Sequence, residues 1–152
     1  MSIKTIHIVL IGKGNVPGFS GFRNLHFHPT GYVHDEQEMI RLINLADLLL
    51  FPSQADNLPN VLIEAIACGV PAVTFDIGGC KEIVRDMDNG YVVQPFDAEA
   101  FAGKTLHLLE DRDRLLSFSK SGRAIAEKEF SLEHMAHHYY MLFQQILPVR
   151  QE

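Results

Sequence analysis

The sequence has no tryptophan and only two cysteines among its 152 residues. Cys68 and Cys80 form no CxxC pair and lack a second pair, so the sequence suggests neither a disulfide framework nor a zinc site. They read as reduced thiols packed as small apolar groups. Positive charge is also scarce: 13 Lys+Arg stand against 19 Asp+Glu, a formal net charge of -6. That sign is wrong for a domain that grips a phosphate backbone through general electrostatics, so nucleic acid is not an expected partner. No stretch approaches the roughly 20 apolar residues that cross a bilayer. The start, Met1-Ser2-Ile3-Lys4, carries no signal-peptide apolar region, and the cytoplasm is the expected compartment. Repeats, low-complexity tracts and linkers are missing too, so one domain over residues 1–152 is expected.

What is present is a 47% hydrophobic chain with alternating strand and helix signals. Ile6 to Ile11 is a short β-branched run closed by Gly12-Lys13-Gly14, which predicts a buried strand and its turn. The stretch from Asn15 to Thr30 reads as loop, with one short strand around Leu25 to Phe27. Asp35 to Ala46 carries apolar residues at helical spacing behind an acidic first turn. Asp47 to Phe51 is a strand stopped by Pro52-Ser53, and Leu58 to Cys68 is a helix ended by Gly69. Further along come a strand from Pro71 to Phe75, a short helix from Lys81 to Arg85, the turn Asp88-Asn89-Gly90 and a strand from Tyr91 to Val93. Three helices close the chain, Ala98 to Glu110, Arg112 to Glu129 and Leu132 to Leu147, with Ser131 as a cap. Such alternation predicts an α/β fold, a parallel sheet with helices on both faces.

Ligands of open α/β sheets bind beyond the carboxyl ends of the strands. Two segments there stand out. After Phe51 comes Pro52-Ser53-Gln54-Ala55-Asp56-Asn57-Leu58-Pro59-Asn60, opening a helix directly, and after Phe75 comes the flexible pair Gly78-Gly79, which would let a ligand approach the backbone. The helix after Asp56 is nearly all apolar yet carries Glu64 in its middle, and a buried carboxylate is costly without a partner. Glu64 either faces solvent or meets a ligand. Asp56 reads either as a helix N-cap or as a ligand contact. Eight residues at about 1.5 Å each put the two acids about 12 Å apart along a helix axis, roughly the span from a hexose to a ribose across a diphosphate. The helix start at Leu58 to Asn60, with its free N–H groups, offers an anion site between them.

Together, Asp47-Leu48-Leu49-Leu50-Phe51-Pro52-Ser53, then Asp56 to Ala65, then Cys68-Gly69-Val70-Pro71-Ala72-Val73 and Gly78-Gly79, resemble the C-terminal donor-binding domain of glycosyltransferase family 4. The resemblance runs from the strand at Ile6 through Glu82-Ile83-Val84, Asn89-Gly90 and Pro95 to the last helix after Phe130-Ser131. It implies a Rossmann-like half of a two-domain GT-B enzyme that binds a nucleotide sugar and transfers the sugar with retention, without metal or cofactor. The family's acid-x7-acid motif falls on Asp56 and Glu64. By that resemblance Glu64 holds the donor ribose, Asp56 acts at the sugar or its leaving phosphate, and Asn57, Leu58, Asn60, Gly78 and Gly79 line the donor. Val33 stands where the family meets the nucleobase, and Lys13 is the nearest basic candidate for phosphate, with Lys81 behind it.

Two departures are visible. The family's first acid is usually Glu, so Asp56 is one methylene short, and Pro59 lacks the N–H that a Gly there often offers. The resemblance also implies parts beyond residues 1–152: the domain's first strand and helix, a strand and loop there with an Arg and a Lys that clamp the diphosphate, and an N-terminal acceptor domain through which peripheral membrane contact would come. The acceptor would be a polysaccharide, a lipid-linked glycan or another glycan. Alternative functions on the same fold are a noncatalytic sugar-nucleotide module and a nucleotide-sugar epimerase. The i, i+4 histidines of the last helix, His134 and His138 with His137 beside them, lack a third ligand in sequence, and no metal site is expected.

Overall fold

A computed structural model describes residues 5–13 and 24–147. The elements run β1 Ile6–Ile11, β2 Leu25–Gly31, α1 Glu36–Leu45, β3 Leu49–Phe51, α2 Asn60–Ala67, β4 Ala72–Phe75, α3 Cys80–Ile83, β5 Gly90–Val93, α4 Ala98–Glu110, α5 Arg112–Glu129 and α6 Leu132–Ile146. Every strand pairing is parallel, as the alternating pattern predicts. The strands nevertheless form two sheets, β1-β2 and β3-β4-β5.

The three-stranded sheet holds the core. All four residues of β4 are buried, and its alternation sends Ala72 to one face and Val73 and Phe75 to the other. On the first face Ala72 joins Leu62 and Ile66 of α2, Cys80 and Ile83 of α3, Val84, and Ile125 and Ala126 of α5. On the second, Val73 and Phe75 meet Tyr91 and Val93 of β5, Phe101 and Leu108 of α4, and Phe118 of α5. A central strand flanked by apolar layers on both faces is the signature of a doubly covered parallel sheet. A third, smaller cluster, Ile43, Ala65 and Val70, ties α1 to the back of α2.

Chain punctuation follows the residues. Asp35, Asp97, Asp111 and Ser131 cap α1, α4, α5 and α6 through side-chain oxygens that accept backbone N–H groups three residues on. Gly69, at φ +73, ends the turn after α2. Strand β2 is longer than the short strand expected from sequence. Its Pro29 pairs with Leu10 beside an irregularity in register between Leu10 and Ile11, a place where a missing donor is tolerated.

Candidate functional site

The segment after β3 and the segment after β4 lie side by side because their parent strands are paired. Gly79 N–H donates to the Asn57 carbonyl at 2.6 Å. Gly78 adopts φ +46, and a Cβ there would overlap the Asp56 carbonyl oxygen; one at Gly79 would overlap the Asn57 carbonyl oxygen. The glycine pair is therefore needed for close approach of protein backbone, which occupies the space a ligand was expected to use. Its effect is to clasp Asp56 and Asn57 in position.

Asp56 does not cap the helix. The N-cap is Pro59, in extended conformation and without a side-chain bond, and α2 starts at Asn60 rather than Leu58. Proline fixes the entry angle but removes a donor. The separation of about 12 Å between the two acids holds for continuous helix; only the four steps from Asn60 to Glu64 are helical, about 6 Å of rise, and the rest is loop. Asp56 is exposed, and its carboxylate has no hydrogen-bond partner among the described residues. At the helix start Leu62 N–H donates to the Pro59 carbonyl, whereas the N–H groups of Asn60 and Val61 find no acceptor among the described residues. These two donors, with the helix dipole behind them, make the segment receptive to an anion.

Glu64 is exposed, so the question of a buried charge does not arise. Along α2 only Asn60 and Glu64 are exposed, one turn apart on one face, while Leu62, Ala65 and Ile66 are fully buried behind them. Glu64 opens into a cleft of about 640 Å³ whose walls include Val33, His34, Met39, Asn44, Cys68 and Arg123. The structure thus brings two of the residues singled out from sequence, Val33 and Glu64, into one cavity. The others stand apart from its walls: Asp56, Asn57 and Leu58 on the loop before α2, Asn60 at its start, Gly78 and Gly79 behind that loop, and Lys13 exposed just after β1. Lys81 is engaged with Asp76 at 3.2 Å, which gives the cation a partner within the chain.

Sequence reasoning missed the far wall. Met39, Ile40, Ile43 and Asn44 come from α1, whose helical spacing shows that a face is buried but not what it faces. Arg123 comes from α5, sixty residues after the motif by rough count. Its guanidinium donates to the Ala67 carbonyl at the end of α2 and to Glu127 at 2.6 Å, so it closes the cleft by holding α2 to α5. Asp35, Glu36 and Glu64 give the cleft an acidic lining opposed by Arg123 alone among Lys and Arg side chains. Such a lining accepts hydrogen bonds from hydroxyls and repels phosphate, so an anionic ligand group would lie outside it, toward the start of α2.

Comparisons with known proteins bear on the family and the fold. Residues 2–111 match the family described as Glycosyl transferases group 1. N-acetyl-alpha-D-glucosaminyl L-malate synthase of Bacillus anthracis is 27% identical over 145 residues, 92% of this chain and 38% of that protein. Sucrose-phosphate synthase from Thermosynechococcus elongatus superposes with a TM-score of 0.72 at 28% identity, over 81% of this chain and 30% of the other. HepE of Anabaena, crystallised with UDP, gives a TM-score of 0.75 at 20% identity over 90% and 40% of the two chains, a likeness of fold. The chain spans about two fifths or less of each of these proteins. Its fold is that of the GT-B glycosyltransferases, and the chain belongs to the group 1 glycosyl transferases.

Proposed function

We propose that this chain is the donor-binding part of a retaining glycosyltransferase and takes a nucleoside diphosphate sugar. The observation that carries the reading is that Val33 and Glu64 line one cleft beside the start of α2. The base lies against the backbone at Val33, and the Glu64 carboxylate accepts from the ribose hydroxyls. The diphosphate meets the N–H groups of Asn60 and Val61, outside the acidic cleft, and the sugar extends toward Asp56 and Asn57. HepE, solved with UDP and with UDP-glucose, shares this fold, which supports a nucleotide sugar as donor.

The chemistry required is modest on this side of the reaction. As the bond to the anomeric carbon breaks, negative charge grows on the departing phosphate, and donors already aimed at it lower the barrier. The helix start supplies two such donors with no metal and no cofactor. The Asp56 carboxylate, free and held by the Gly78-Gly79 clasp, accepts from hydroxyls of the sugar and fixes its orientation. Placing the acceptor hydroxyl is worth about 7 to 11 kcal/mol and falls to the remainder of the enzyme, the acceptor domain. That domain receives a polysaccharide or other glycan acceptor, in the cytoplasm, and any peripheral membrane contact is its own.

Calorimetry with UDP, GDP and ADP tests the assignment. At least one should bind, and Glu64→Gln should weaken it by about 1.5 to 3 kcal/mol, the worth of a hydrogen bond to a charged group. Equal affinity in wild type and variant would remove Glu64 from the site.

A further inference from the structure

The paired strands β1 and β2 carry three histidines on one face. In their parallel register His7 stands opposite His26 and Val9 opposite His28, so the three imidazoles share the exposed side, while Ile6, Ile8, Leu25 and Phe27 point to the half-buried one. The His7 ring stacks on His26 at 5.1 Å and on His28 at 5.2 Å. His7 Nδ1 and His28 Nε2 lie 3.0 Å apart, one ring donating to the other. None of the three lines the cleft of the donor site.

We propose that His7 and His28 form a binding site for one divalent transition-metal ion of the zinc, nickel and copper class. Neutral imidazole nitrogen is a preferred ligand of these ions. Two nitrogens bound at about 2.1 Å lie about 3.0 Å apart at a right angle and about 3.4 Å apart at the tetrahedral angle. That separation equals the first, but as hydrogen-bond partners the two nitrogens point at each other, so both exposed rings must turn for their lone pairs to converge on one ion. Both rings must offer a lone pair, so the proton shared between them moves to the outer nitrogen of the ring that donated it, Nε2 of His7 or Nδ1 of His28. No group of three or more His, Cys, Asp or Glu side chains is placed to hold an ion among the described residues, so water completes the coordination. The net charge of -6 favours a cation over an anion at any such surface.

An ion there would cross-link the two strands. That matters because an isolated pair of strands is marginally stable in water, and β1 and β2 form a sheet of their own. Metal affinity would then appear as stability of this ribbon.

The test uses the whole chain with Ni²⁺ in calorimetry and Cu²⁺ in electron spin resonance. One ion should bind per chain, with two nitrogens in the equatorial plane of copper. His7→Gln and His28→Gln should each weaken binding by about tenfold or more, with circular dichroism confirming that each variant folds. The double variant His134→Gln/His138→Gln is the control, since those rings lie 4.2 Å apart on α6. Binding that follows the α6 histidines, survives both ribbon variants or is absent in the wild type would overturn the proposal.

Discussion

Gly78 shows how much one missing methyl group can decide. Its φ of +46 is unfavourable for an L side chain, and an added Cβ meets the Asp56 carbonyl. Gly78→Ala should lower stability by about 1 to 3 kcal/mol in urea titration and displace the loop bearing Asp56, so nucleotide binding should weaken as well. Unchanged stability would mean that the clasp is loose. Asn89 is a second such position. The sequence around it reads as an ordinary Asp-Asn-Gly turn, yet its side chain is completely buried, accepting from Arg85 N–H at 2.6 Å and donating to the Ile83 carbonyl at 2.9 Å. Asn89→Ala strands both backbone groups and should cost about 2 to 4 kcal/mol, measured as a shift in the urea midpoint at constant slope. Neither requirement can be read from residue type alone, because each depends on a neighbour brought by the fold.

At the scale of elements, local signals and outcomes can be compared one by one. The cap at Ser131, the stop at Gly69 and the apolar runs that form β1, β3, β4 and β5 are legible because each rests on chemistry within a few residues. The start of α2 was misplaced by two residues because the motif was read as continuous helix past Pro59. The division into two sheets was not legible, since strand order and pairing are properties of contacts distant in sequence. Of the cleft walls, Glu64 and Val33 are named by the sequence motif and the family resemblance, while the wall from α1 and Arg123 is not. Helix α6 offers a further prediction. Leu132, Met135, Tyr139, Leu142, Phe143 and Ile146 recur at helical spacing, yet all are exposed and α6 buries no residue. Ending the chain after Ser131 should therefore shift the urea midpoint of the β3-β4-β5 core very little. A large loss would mean that α6 packs on that core in solution.

In the molecule as a whole, the proposed function divides labour between parts. The chain spans about two fifths or less of the relatives and structures compared, and under the proposed function the cleft and α2 supply the donor side of the reaction. In the proposed function nucleotide binding belongs to these residues, whereas turnover requires a surface that positions an acceptor. The purified chain should bind nucleotide and show no transfer from labelled nucleotide sugars to a mixed glycan extract. The central claim is that base and ribose sit between Val33 and Glu64 with the diphosphate at the start of α2. Amide chemical-shift mapping during titration with UDP, GDP and ADP tests it most directly. The account predicts saturable shifts, for at least one nucleotide, concentrated at Val33, Asn60, Val61 and Glu64 and reduced in Glu64→Gln. Shifts centred elsewhere, or none with any of the three nucleotides, would contradict it.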